Sequence, residues 1–232
     1  AAELRRGQRG ILLCCRQGRC LMGDFVAYWA SHQDKFMAAL GEHLVIVGVV
    51  LAWSLAVAAL ITLAIRRSHR VEGAVLQVLG ALYSVPSLAL FSLLIPFTGL
   101  GLTSAIIVMV AYNQFLLVRN IVEGLNGVDS GVVEAAIGMG MSPMQVLLRV
   151  ELPLAFPVIM AGIRLAAIST IGIATIAATI NAGGLGTILF SGLRTMNVYK
   201  IVDGTVLCAA VALVADAALK GIERLVTKRM SR

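Results

Sequence analysis

Along most of this chain the polar positions stand at the ends of long apolar runs instead of alternating with them. Five such runs approach the roughly 20 residues that a helix needs to cross a bilayer. The first, Leu44 to Ile65, carries no charge and closes on Arg66-Arg67-Ser68-His69-Arg70. The second, Gly73 to Phe97, is interrupted by Pro86 and Pro96, and the third runs from Leu102 to Val118 and ends at Arg119. The fourth runs from Val158 to Ile180 with Arg164 close to its start, and the fifth, Ile201 to Leu219, is bracketed by Asp203 and Asp216. Ahead of them, Phe25, Trp29, Phe36 and Leu40 recur at helical spacing opposite Gln33, Asp34 and Lys35. That pattern predicts a short amphipathic helix on the membrane surface. The expectation is an all-α integral membrane protein with about five transmembrane helices.

Composition agrees with the pattern. Of 232 residues 59% are hydrophobic and 13% charged, about half the charged share of a soluble globule. The net charge of +7 does not point to nucleic acid, because the basic residues flank apolar runs and form no aromatic-studded stripe. Their distribution orients the chain instead. Five spans put the termini on opposite sides. One side takes Arg66, Arg67, Arg70, Arg119, Arg149, Arg164, Lys220, Arg224, Lys228, Arg229 and Arg232, and the other takes Lys35, Arg194 and Lys200. The positive-inside rule assigns the first set to the cytoplasm. A multi-pass protein of a bacterial inner membrane is expected, N-terminus outside and C-terminus inside.

Four segments follow. Residues 1–21 hold five arginines, three of the four cysteines and an apolar stretch too short for a signal-peptide core. They are expected to be non-native or unstructured, with translation beginning near Met22. Residues 22–43 form the interfacial segment, 44–219 the transmembrane domain with a cytoplasmic loop at 119–157, and 220–232 a basic tail. No histidine stands near Cys14, Cys15 and Cys20, so they do not read as a metal site. His32, His43 and His69 do not cluster.

The loop has internal design. Asp129 suits the N-cap of a helix from Ser130, and Gly140 suits its end. Ser142-Pro143-Met144-Gln145 reads as a second start, with Ser at the cap, Pro in the first turn and Gln three residues on. That helix is expected to end near Leu152-Pro153. The two helices carry Val132, Ile137, Met139 and Met144, apolar side chains that call for a covering surface. That surface is either the protein's own span ends or another protein's groove, where flexible methionines are useful.

Here the chain resembles a family. Glu134-Ala135-Ala136, three residues, Gly140, nine residues, Val150, one residue and Leu152-Pro153 resemble the EAA motif of ABC importer permeases, E-A-A-x3-G-x9-I-x-L-P, with Val150 where isoleucine is usual. More narrowly, Ser84 to Leu90, Val118-Arg119-Asn120, Gly138 to Met141, Val150 to Leu154 and Ala182-Gly183-Gly184-Leu185-Gly186 resemble permeases for the osmoprotectants glycine betaine, carnitine and choline. The resemblance runs from about Phe25 to Leu225. Departures are Asn113-Gln114, where apolar residues are usual, and Asn181, where glycine is.

The resemblance implies a type I importer permease fold like that of methionine importers. It implies that Glu134, Ala135, Ala136, Gly140, Leu152 and Pro153 form the loop that docks on cytoplasmic ATPase subunits. It further implies a second permease copy or paralogue, an external substrate-binding protein, and import of a small quaternary-ammonium solute. An amino acid or another small solute is the alternative cargo, and a stand-alone secondary carrier is the rival class. The chain contains no G-x-x-x-x-G-K-[S/T], so no cofactor is expected in it, and ATP and Mg belong to the partner ATPase.

Within the spans, Pro86 is expected to kink the second helix, either as plain structure or to shape a path. Asn113 and Gln114 are costly at mid-membrane and either hydrogen-bond between helices or line the translocation path. The glycines at 183–186 predict a tight re-entrant turn near an outer gate. Asp216 and Lys220, four apart, predict a helix-end ion pair. Trp53, Tyr83, Phe91, Phe97, Tyr112 and Phe115 read as scattered, with no aromatic cage among them.

Overall fold

The computed structural model describes residues 29–30, 32–66 and 68–230, with the side chains of 229 and 230 left aside. Residues 1–28, and with them Cys14, Cys15, Cys20, Met22 and Phe25, lie outside the described residues. The described residues contain helices and turns and no strand. The helices are α1 (Gln33–Ile65), α2 (His69–Ser84), α3 (Ser87–Thr98), α4 (Leu102–Asn126), α5 (Ser130–Gly138), α6 (Pro143–Val146), α7 (Leu152–Ala177), α8 (Gly186–Arg194) and α9 (Val198–Met230). A π turn, Leu147–Glu151, joins α6 to α7, and a 3₁₀ turn, Ala178–Ile180, ends α7.

Four elements are long and apolar enough to span a bilayer: α1, α4, the α6-to-3₁₀ rod Pro143–Ile180, and α9. The bent pair α2–α3 supplies a fifth crossing, its two halves meeting at 93°. The ties between helices show which ends lie together. Arg66 at the end of α1 pairs with Glu151 before α7, and Asn126 at the end of α4 donates to Glu72 near the start of α2 at 2.9 Å. At the other end, the Gly184 amide donates to Glu42 on α1 at 3.1 Å. The α2–α3 pair therefore leaves one face with α2 and reaches the opposite face where α4 begins.

The sequence places Pro86 in a helix it would kink. The structure has a full break instead: Val85 is extended and Pro86 caps α3. Proline disfavours helical geometry in the residue before it, so Val85 leaves the helix and the two halves turn independently. The carbonyl thus exposed is not left unpaired in an apolar setting, because the Tyr112 hydroxyl donates to it.

The interfacial helix expected at residues 22–43 is not separate where it is described. From Gln33 the chain runs into the first span without a break, giving a helix of 33 residues and about 50 Å. Its length beyond the bilayer core of about 30 Å lets one rod present Glu42 at one face and Arg66 at the other.

In the bundle α4 and α7 form the central pair, flanked by α1 on one side and α9 on the other. The packing uses small residues, as helices in lipid require for close approach. Ala58, Ala105, Ala166 and Ala177 are wholly buried. Gly162 shows how close the approach is: a Cβ there would lie 2.4 Å from Cβ of Asn120. Larger side chains fill the rest, with Val50, Phe91, Met109 and Ile171 in one cluster and Leu117, Val118 and Val122 in another. The outer surface is apolar, with Val78 69%, Phe97 82% and Leu213 72% exposed. Such a surface suits lipid or another membrane helix and not water.

Candidate functional site

The segment between α4 and α7 projects from one end of the bundle, and each of its bends has a local cause. Oδ1 of Asp129 accepts from the amides of Gly131 at 2.7 Å and Val132 at 3.4 Å, opening α5. The helix closes with the Met141 amide on the Ala136 carbonyl at 3.3 Å and the Gly140 amide on the Ile137 carbonyl at 2.9 Å. That crossed pair is a Schellman motif, which needs a left-handed residue after the C-cap. Gly140 supplies it with φ +82°. Ser142 and Gln145 then form a capping box: the Ser142 amide donates to Oε1 of Gln145 at 2.8 Å, and the Gln145 amide to Oγ of Ser142 at 3.4 Å.

The helix after this box was expected to stop at Leu152-Pro153. It continues, through the π turn, into α7 as a single rod. Pro153 lacks an amide hydrogen and would clash with the carbonyl four residues back in a regular helix. The wider π turn ahead of it relieves that clash.

The resulting arm has two faces. Ala136, Val146 and Leu147 are buried where α5 folds back on the rod. Glu134, Ala135 and Gly140 are exposed, as are Ile137 at 58%, Met139 at 77% and Met144 at 58%. Leu152 and Pro153 are half-buried at the root. The EAA-type positions therefore do different jobs: Ala136 fits a closed contact, Gly140 sets the bend, and Glu134 with Ala135 faces outward.

Ionic and polar ties anchor the root. Arg66 donates to the carboxylate of Glu151, which is 8% exposed. Beside this pair a cavity of about 160 Å³ is lined by Thr62, His69, Glu72, Asn126 and others. On the far side of α7, Arg164 donates to Asp216 at 2.7 Å and to Glu223 at 3.4 Å. The Asp216–Lys220 pair expected from spacing is thus not the contact Asp216 makes. Arg164 on α7 reaches across to α9 and takes the carboxylate, because a guanidinium matches it with several donors.

Asn113 and Gln114 are 1% and 4% exposed. Nδ2 of Asn113 donates to Ser54 Oγ at 3.1 Å and Thr170 Oγ1 at 2.8 Å, tying α4 to α1 and α7. Nε2 of Gln114 donates to the Val110 carbonyl at 2.8 Å. Pro86, by contrast, is exposed at the α2–α3 break. The three residues proposed for a path do not gather: Pro86 faces outward and the amide pair faces inward.

The aromatic side chains are less scattered than their spacing implies. Tyr83 lies 5.4 Å from Tyr112 and 5.2 Å from Phe115, ring centre to ring centre, and Arg119 stands 5.8 Å over the Phe115 ring. Tyr112, Phe115 and Arg119 share α4, and only the α2–α4 contact brings Tyr83 to them. At the opposite face the glycine-rich turn adopts left-handed geometry at Asn181, φ 63°, which asparagine tolerates better than most residues. That explains how Asn181 replaces the usual glycine.

Sequence reasoning missed Glu151 and Arg66 as functional candidates. Arg66 entered only as a charge that orients the span, and Glu151 only as a letter inside a motif. The one available signal was an acid placed at the threshold of an apolar span.

The chain is a multi-pass helical bundle carrying a capped, apolar arm at one end. Residues 36–232 match the family described as binding-protein-dependent transport system inner membrane component, and the chain belongs to that family. It is 36% identical over 211 residues to the carnitine transport permease protein OpuCB of Listeria monocytogenes, covering 91% of this chain and 97% of that one. It is 33% identical over 208 residues to the glycine betaine/carnitine/choline transport system permease protein OpuCB of Bacillus subtilis, covering 90% and 96%. The choline transport system permease protein OpuBB of Bacillus subtilis is 36% identical over 206 residues, covering 89% and 95%. In fold it is similar to a chain of the inward-facing MetNI methionine ABC transporter, with TM-score 0.77 and 22% identity over 83% of this chain and 96% of that one. The type I importer permease fold expected from the sequence is the fold observed.

Proposed function

We propose that this chain is the path-forming subunit of an ATP-driven importer for a small quaternary-ammonium osmoprotectant such as glycine betaine, choline or carnitine. The observation that carries the importer reading is the arm: two short helices, separately capped, holding Ile137, Met139 and Met144 outward beyond the bundle. An apolar knob on a rigid mount fits a groove in a partner protein. The solute class rests on the names of the three relatives, each matched over nearly its whole length.

In this reading the arm lies in the cytoplasm on an ATPase subunit that holds ATP and Mg. A second permease copy or paralogue completes the path, and an external binding protein delivers the solute at the Glu42–Gly184 end. The arm-side excess of arginine and lysine supports this orientation. The path runs along the exposed Pro86 side of the subunit. A part for Asn113 and Gln114 in it requires α4 to separate from α1 and α7 during the cycle. Deletion of the gene in a strain without other osmoprotectant carriers is expected to abolish uptake of labelled betaine, choline or carnitine under osmotic stress. Normal uptake of all three, with loss of uptake of an amino acid, overturns the solute class and leaves the importer reading standing.

A further inference from the structure

We propose that Arg66 and Glu151 are the link through which movement of the arm reaches the first span, with α1 acting as the rod that carries it to the opposite face. The inference rests on the arm being the ATPase docking element. Three observations support it. Glu151 is the last residue of the π turn and its side chain is 11% exposed, so it is an acid held at the arm's root and largely shielded from water. Its partner Arg66 is the C-cap residue of α1, at the end of the rod itself and not on a neighbouring loop. The same rod carries Glu42, whose carboxylate accepts from the Gly184 amide in the turn at the far face. A force applied at the arm thus has a continuous route along one helix to the glycine-rich turn.

The placement of the ion pair matters as much as its existence. A π turn interrupts the regular α-helical hydrogen-bond ladder of a rod and is frequent at functional sites. The rod Pro143–Ile180 carries motion of the arm directly into α7, but by itself it makes no covalent connection to α1. The Arg66–Glu151 pair ties the turn to α1, so displacement of the arm moves two spans together. A partly buried charge pair is suited to the task, since losing one partner leaves the other charge without compensation. The neighbouring Asn126–Glu72 bond ties α4 to α2 and includes no residue of the arm or the π turn.

Both residues are positioning residues, and a merely structural role would show itself as lost stability. The test uses the complete importer in lipid vesicles, with ATPase and binding protein present and labelled betaine as solute. The variants are Arg66→Glu, Glu151→Arg, the double exchange, and the neutral, nearly isosteric Glu151→Gln. Three quantities are read: solute imported per ATP hydrolysed, ATPase retained on purification, and thermal midpoint. The single variants are expected to retain the ATPase and keep hydrolysing ATP while import per ATP falls roughly tenfold, within the range typical of coupling between sites. The exchange is expected to restore most of it. Should a charge reversal fail to reach the membrane, Glu151→Gln gives the same reading. Import per ATP equal to the parent's in Glu151→Gln overturns the proposal, as does an exchange variant of parental midpoint that recovers nothing. A cysteine crosslink from position 134 to the ATPase tests the docking reading by itself. Its absence in the parent importer removes both readings, while its presence beside an unimpaired Glu151→Gln removes only the link.

Discussion

Arg164, in the fourth apolar run, donates to Asp216 of the fifth at 2.7 Å, and the two residues are 52 positions apart. Glu223 on the same helix takes a second nitrogen of Arg164 at 3.4 Å, so one guanidinium ties two acids of α9 to α7. Few residues of α9 are fully buried, and it packs on the bundle through half-buried side chains such as Val211, Ala212 and Ala215.

That arrangement sets up a comparison between two neighbours of one acid. Replacing Asp216 with Asn is expected to lower the thermal midpoint of the purified protein by a few degrees, and Arg164→Gln by a similar amount. Lys220→Ala is expected to leave it unchanged, because Arg164 and not Lys220 is the contact Asp216 makes. A Lys220 variant as destabilised as Asp216→Asn would show that spacing along α9, and not the reach from α7, decides the partner.

Gly140 occupies left-handed backbone, and a β-branched residue there is strained by about 1–2 kcal/mol. The Schellman closure of α5 would open, and the outward face around Met139 would lose its mount. Gly140→Val is therefore expected to leave the chain in the membrane while ATPase stimulation by loaded binding protein falls to the basal rate. Co-purification with the ATPase and a hydrolysis assay check it, and full stimulation would remove the arm from the docking role.

Labelling with a small water-soluble thiol reagent separates path from packing. A cysteine at position 86 is expected to react in some state of the cycle, since Pro86 is exposed on the subunit. A cysteine at position 113 is expected to react only in a state that parts α4 from α1 and α7. Inertness at 113 in every trapped state assigns the amide to packing, where each interhelical hydrogen bond contributes about 0.6 kcal/mol.

Local chemistry was the legible part of this sequence. Asp129, Gly140, and Ser142 with Gln145 work through neighbours two to five residues away, so their spacing alone announces two helices and the bend between them. The apolar runs announced five crossings for the same reason, and four of them are unbroken elements. What the sequence hid was contact between distant positions. Nothing near Arg66 points to Glu151, 85 residues on, and nothing near Tyr83 points to Phe115. Pro86 was visible as a disturbance but not as a right-angle break, because the hydroxyl that satisfies the freed carbonyl comes from another helix. Asn113 was visible as a buried polar residue, while its partners Ser54 and Thr170 were two ordinary hydroxyls in other spans.

The bond between Tyr112 and Val85 carries a consequence for biogenesis. Chain order brings α2 and α3 to the membrane before α4 has been made. Until Tyr112 arrives, the Val85 carbonyl at the bend lacks the hydroxyl that satisfies it, and lipid offers none. The half-built chain is therefore expected to hold this bend where water still reaches it, at the surface or in the insertion machinery. The two short helices are expected to settle at depth together with α4, the second and third apolar runs entering the membrane as one unit.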